Sequence, residues 1–382
     1  MADFSTRIDR TSSDSTKWNK YRDRDVIPFW VADMDFTAPD FVLEALHKRI
    51  DHGVLGYAEA QPALVDAACA WFWQRFNWKV DPDWLIWIPG VVPGLNIASR
   101  AIGSEDDALI IMTPVYPPFL SVPENSNKQM LSSPLIYDGK KWSIDFADIE
   151  DKARLASGLL LSNPQNPTGR VYSENELSKL AEICIANDVI VVSDEIHWGI
   201  VLDENRSHIP IASISEEISL TTITLIASTK TYNVAGLNCA LGVIPDPSLR
   251  ERFVDATTGF VSHISPLAYT AALATFLDRS SWIKDLVAYL RVNRDLLERC
   301  VDETPGIAMA HVEGTYLGWI DARSLQVDDP ATFFENHGLG FSNGFDFNGE
   351  GFVRFNFACH RDLLLEGIER LKRAVSSCNL GS

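Results

Sequence analysis

The 382-residue chain has no apolar run near the roughly eighteen residues that a membrane-crossing helix needs. Its start, Met1-Ala2-Asp3-Phe4-Ser5, lacks the basic-then-apolar order of an export signal, so a cytoplasmic protein is expected. Cysteine is sparse: six residues, at 69, 184, 239, 300, 359 and 378, with no pair at C-x-x-C spacing. That scatter argues against a zinc cage or a disulfide framework. Basic residues are also short, 33 Lys and Arg against 52 Asp and Glu, which leaves a net charge of −19. Nucleic acids and anionic bilayers, both polyanions, are therefore poor partners, whereas a small zwitterion is not repelled. There is no repeat, low-complexity stretch or long Gly/Ser linker. What the chain does have is a globular balance, 46% hydrophobic and 22% charged, on a length that favours two domains over one.

Apolar spacing predicts helices from Asp40 to His52 and from Leu64 to Phe76. From Trp84 to Ile244 short apolar runs alternate with longer amphipathic stretches, the pattern of a parallel sheet flanked by helices. Six candidate strands result: 84–88, 108–112, 159–161, 189–192, 222–226 and 240–244. Beyond Pro266 the pattern is helical through Leu297. Segments around Gly314-Thr315-Tyr316 and Gly351-Phe352-Val353-Arg354 then suggest a smaller α+β part.

In open parallel sheets ligands bind beyond the carboxyl ends of the strands, so the residues after each apolar run carry the functional signal. The first run ends in Pro89-Gly90-Val91-Val92, a glycine opening a helix whose N–H groups suit a phosphate. The second ends in Thr113-Pro114-Val115-Tyr116, a ring that prolines would hold for stacking. The third ends in Asn163-Pro164-Gln165-Asn166-Pro167-Thr168-Gly169, a rigid turn presenting an amide. The fourth ends in Ser193-Asp194-Glu195-Ile196-His197, placing a carboxylate at a buried strand end. The fifth ends in Ser228-Thr229-Lys230, hydroxyls beside a lysine. Singly, these read equally well as a turn, a packed aromatic, a helix cap or a surface lysine. Together they match pyridoxal phosphate, which needs a lysine for its Schiff base, an acid against its ring nitrogen, a donor to its phenolic oxygen and a phosphate anchor.

The same residues resemble the fold-type-I pyridoxal-phosphate enzymes of the class I/II aminotransferase superfamily, and most closely the MalY/PatB branch of cystathionine β-lyase-type C–S lyases. The resemblance runs from near residue 30 to near 360. It rests on Trp30-Val31-Ala32-Asp33-Met34-Asp35-Phe36, Gly56-Tyr57, Pro89-Gly90-Val91-Val92, Asn163 to Arg170, Ser193 to His197, Lys230-Thr231-Tyr232-Asn233-Val234-Ala235-Gly236-Leu237 and Val353-Arg354-Phe355-Asn356. Two positions depart from the usual pattern, Gln165 between the Asn-Pro pairs and His360 after Cys359.

The resemblance implies a large domain over 40–270 with a mostly parallel seven-stranded sheet, and a small α+β domain from 1–39 and 271–382. It makes Lys230 the Schiff-base lysine, Asp194 the partner of the ring nitrogen and Asn166 the donor to the phenolic oxygen. Tyr116 would stack on the ring, and His197 would lean near its phenolic side or serve as a structural histidine. Gly90, Val91, Val92 and Thr229 would hold the phosphate, and Tyr57 would reach it from the other subunit of a homodimer. Arg354 would clamp the substrate carboxylate, unless it points outward from an edge strand as a solvated charge. No metal is implied. The implied activity is β-elimination from cystathionine or related cysteine S-conjugates. An aminotransferase uses the same residues, and a binding protein that merely keeps the fold is a third reading, one with no need for Lys230, Asp194, Asn166 and Arg354 together.

Overall fold

The computed structural model describes Phe4, residues 6–259 and residues 261–378. Seven strands form the large sheet: β1 (Leu85–Ile88), β2 (Ala108–Thr113), β3 (Gln129–Pro134), β4 (Ala156–Ser162), β5 (Ile190–Asp194), β6 (Thr222–Ile226) and β7 (Ala240–Val243). Their order is β1-β7-β6-β5-β4-β2-β3. Only β7 runs against its two neighbours; β6, β5, β4, β2 and β3 pair in parallel. The interior strands read as unbroken apolar runs because both faces are covered and alternate residues enter opposite cores. Leu159 and Leu161 join one core with Ile110 and Met112, while Leu160 joins the other with Leu109 and Ile111.

The six expected strands are all present. The seventh, β3, escapes an apolar-run search because it is an edge strand reading Gln-Met-Leu-Ser-Ser-Pro, with three of its six residues exposed. The helices Asp40–Asp51 and Pro62–Phe76 lie where the spacing places them. The long helical stretch after Pro266 is instead two helices, Pro266–Phe276 and Trp282–Asp302. The polar run between them breaks the helix: Asp278 folds back to accept the Ser280 N–H at 2.7 Å.

Residues 308–356 contribute a four-stranded sheet of Ala308–Met309, Leu317–Asp321, Phe352–Asn356 and Ser342–Asn343, in that spatial order. Ahead of the large sheet in sequence, Ile27–Pro28 pairs in parallel with Leu339–Gly340. Phe29 packs against Phe355 with ring centroids 4.3 Å apart. The early segment is thereby fixed beside a strand more than three hundred residues later.

Candidate active site

The carboxyl ends of the strands converge on a cavity of about 630 Å³ lined by Gly90, Val91, Val92, Tyr116, Asn166, Asp194, His197, Thr229 and Lys230. At its first edge Gly90 adopts φ +155° and ψ 164°, a conformation almost reserved to glycine. The helix Val91–Ala101 follows with no side-chain cap, so its first N–H groups are available to an anion. Across the cavity, the Tyr116 N–H donates to the Asn166 carbonyl at 3.0 Å. The unusual Gln165 fastens the same loop pair: buried, it donates to the Pro114 carbonyl at 2.7 Å while its own oxygen accepts from the Thr168 N–H at 2.8 Å. Its amide thus takes the place of a backbone clip.

A second wall comes from Trp30–Phe36, held open between two asparagines. Asn233 accepts the Met34 N–H at 3.0 Å and donates to the carbonyls of Met34 and Phe36. Asn356 donates to the carbonyls of Val31 and Asp33 at 2.6 and 2.7 Å. Three motifs far apart in sequence are joined by these amides. At their centre the Lys230 ammonium donates to the Ala32 carbonyl at 2.6 Å, and the buried Tyr316 hydroxyl donates to the same oxygen at 3.0 Å.

Neither Tyr316 nor the carbonyls of Ala32 and Trp30 were legible as site groups, since a backbone acceptor carries no side-chain signature. A signal for Tyr316 does exist in the fold. Its neighbour Thr315 sits at φ +69°, a conformation that β-branched residues avoid.

Arg354 lies on an interior strand of the small sheet, paired on both sides, and is 4% exposed. The solvated edge position is therefore excluded. One guanidinium nitrogen donates to the Asn166 side-chain oxygen at 3.0 Å, leaving the Asn166 amide hydrogens for another acceptor. The other donates to the Trp30 carbonyl at 2.8 Å and to Ser342 Oγ at 3.3 Å, and the plane lies 4.7 Å over the Phe347 ring. Its Nε has no partner. Among the described residues no carboxylate pairs with this cation, nor with Lys230. Arg354 does not itself line the cavity; it stands one hydrogen bond behind Asn166. Tyr57 is likewise absent from the lining of its own chain's cavity, 92% exposed, with its ring 5.1 Å from His263.

Withdrawal from water dominates the electrostatics. Burial raises Asp194 to about 7, helped by neighbouring Glu195 and opposed by the Ile196 N–H it accepts at 3.0 Å and by Lys230. Burial lowers Lys230 to about 8; Arg354 pushes the same way, Asp33 and Asp194 against. Burial with the charges of Lys230 and Arg354 lowers His197 to about 3, so its imidazole is neutral at physiological pH, with Nδ1 unpartnered. Arg354 itself is lowered to about 10 by burial.

These groups fit pyridoxal phosphate. An uncapped helix start faces an anion, an amide is turned to donate, a carboxylate accepts one hydrogen bond through Oδ1, and an amine rests on a neutral carbonyl. The fold is that of the aminotransferase class I and II family, whose model matches residues 24–371, and the chain belongs to that family. It is 34% identical to cystathionine beta-lyase PatB of Bacillus subtilis (strain 168), over 98% of this chain and all of that one. The crystal structure of OvoB is 45% identical, with TM-score 0.95, covering 98% of this chain and 99% of that one. The PLP-bound C–S lyase of Staphylococcus hominis is 31% identical, with TM-score 0.91 and 98% of each chain covered.

Proposed function

We propose that this cavity binds pyridoxal 5′-phosphate and carries out β-elimination on cystathionine or a related cysteine S-conjugate, releasing thiol, pyruvate and ammonia. The observation that carries the reading is two desolvated cations that meet only neutral groups among the described residues, Lys230 in the cavity wall and Arg354 one hydrogen bond behind Asn166. Full-length similarity to PatB and to the Staphylococcus lyase supports lyase over transferase chemistry.

When bound, pyridoxal phosphate supplies an aldehyde that condenses with amines and a ring that draws electrons from the amine's α-carbon. Lys230 is the amine that holds it. With the cofactor bound, Lys230 would also be placed to take the substrate's Cα proton as general base, a task suited to an amine near 8 rather than 10.5. Asp194 would hold a proton on the ring nitrogen, Asn166 would donate to the phenolic oxygen with neutral His197 nearby, and Tyr116 would stack on the ring. The N–H groups of Gly90, Val91 and Val92, with Thr229, would hold the phosphate. Arg354 would bind the substrate carboxylate by exchanging its present contacts with Asn166, Trp30 and Ser342 for the incoming oxygens. The β-carbon–sulfur bond then breaks with its electron pair on sulfur, which leaves as the thiol after protonation; water converts the three-carbon remainder to pyruvate and ammonia.

In this reading residues 40–270 form the cofactor-binding domain and 1–39 with 271–382 the small domain. The exposed Val54, Leu55 and Tyr57 form a homodimer contact through which Tyr57 reaches the partner's phosphate site. No described helix is long and apolar enough to cross a membrane; a cytoplasmic location belongs to the proposal. The test is pyruvate and thiol release from excess L-cystathionine by cofactor-loaded protein without an oxo-acid acceptor. Many turnovers per site support β-elimination. One oxo acid per site without pyruvate makes the protein an aminotransferase, and silence in both signals favours a binding role.

A further inference from the structure

Next to Asp194 in the chain, just past the end of β5, is a second carboxylate that the proposed chemistry does not use. Glu195 is fully buried, yet each of its oxygens is met by donors: Oε1 accepts from Ser193 Oγ at 2.9 Å and from the Ile211 N–H at 3.2 Å, and Oε2 lies 2.8 Å from His208 Nε2. Three donors and no acceptor suit an ionised carboxylate. His208 is itself buried, and among the described residues its Nδ1 has no partner. A bare lone pair there is less costly than a bare N–H of an imidazolium, so the geometry favours a neutral histidine donating through Nε2. The Glu195–His208 pair then keeps one negative charge, adjacent in sequence to Asp194.

We propose that Glu195 is a positioning residue for the cofactor's ring nitrogen: its fixed negative charge keeps the proton on the Asp194–ring nitrogen pair to higher pH. A nearby negative charge strengthens proton binding at both members of the pair, whichever atom carries the proton. Glu195 is not in the cavity lining, and its charge acts through space without touching the ring. Among the described residues, Lys230 from the loop after β6 and the Tyr116 phenol from the loop after β2 also interact with Asp194, and the neutral His197 on its own segment lines the same cavity. Lys230 opposes the effect of Glu195 on Asp194. The inference rests on the reading of Asp194 given above.

The test follows the nitrogen-15 shift of ring-labelled pyridoxal phosphate in the holoenzyme against pH, which reports ring protonation without turnover. Glu195→Gln keeps size and acceptor and removes the charge; the ring nitrogen is expected to lose its proton at a pH lower by roughly one unit. His208→Gln keeps a neutral donor and leaves the titration where it is. An unmoved titration in Glu195→Gln, or an equal shift in His208→Gln, overturns the proposal and makes the pair a packing device. If Glu195→Gln does not fold alone, Glu195→Gln is combined with His208→Gln so that two amides face each other; the same downward shift is expected, and no shift overturns the proposal. Asp194→Asn separates the two layers: a ring signal unmoved by it removes the reading of Asp194, and this inference with it.

Discussion

Two arginines are almost equally withdrawn from solvent, Arg170 at 1% exposure and Arg354 at 4%. Arg170 meets Glu313 and Glu176, each at 2.8 Å, and the Trp142 carbonyl, so its charge is balanced within the fold. Arg354 meets an amide, a carbonyl, a hydroxyl and a ring, and no carboxylate. Two lysines repeat the contrast. Lys17, wholly buried, pairs with Asp35 at 2.7 Å and lies 3.6 Å from Asp33, whereas Lys230 rests on the Ala32 carbonyl. A desolvated cation given its own carboxylate is architecture. One given only neutral oxygens keeps its charge available for a ligand, at a cost in stability.

Crossing the two classes by mutation is the way to break that comparison. The largest effect is expected for Lys230→Ala, where pyruvate release falls on the order of a thousandfold or more while the thermal midpoint of the cofactor-free protein holds or rises. Arg170→Met is expected to do the opposite, costing about 3–5 kcal/mol in a denaturant titration because Glu313 and Glu176 lose a buried partner, with activity per folded molecule kept. Arg354→Met should lower kcat/KM roughly a hundredfold, without the stability loss of Arg170→Met. A loss equal to that of Arg170→Met would erase the distinction.

The pH behaviour sharpens the comparison. Asp194 binds its proton more tightly folded, near 7, than unfolded, near 3.8. Its contribution to stability is therefore complete below 3.8 and lost as pH rises through 7. Cofactor-free Asp194→Asn should gain on the parent protein across that window and no further above it, in melts run as a pH series. Lys230 should react with an amine-directed reagent with a midpoint near 8, the value that burial and Arg354 impose. The smallest effect is expected for Tyr57→Ala, a roughly fivefold weaker hold on pyridoxal phosphate that accompanies dimer formation in sedimentation.

Much of this was legible residue by residue. The runs before Gly90, Tyr116, Asn166 and Lys230 are strands whose carboxyl ends those residues follow, and Asp194 is itself the last residue of its strand. The edge strand β3 was not legible, because half-exposed edges carry no apolar run. The break at 277–281 was missed because apolar residues resume in phase on either side of it. Tyr316 and the Ala32 carbonyl were missed because their meeting joins positions 284 residues apart. Glu195 read as part of a motif, and only its three donors show that it is buried as a carboxylate.

The sequence by itself determined which functional groups reach the cavity, because in a parallel sheet every strand delivers the residue after its last apolar position to the same edge. It also determined, through alternation, which side chains fill the two cores. Tertiary structure alone decided which charges are balanced. Arg170 and Arg354, or Lys17 and Lys230, are the same residue types in the one-dimensional chain. Whether a carboxylate or a neutral oxygen stands opposite each depends on elements distant in sequence, and in a desolvated interior that choice separates a structural ion pair from a charge held for a ligand.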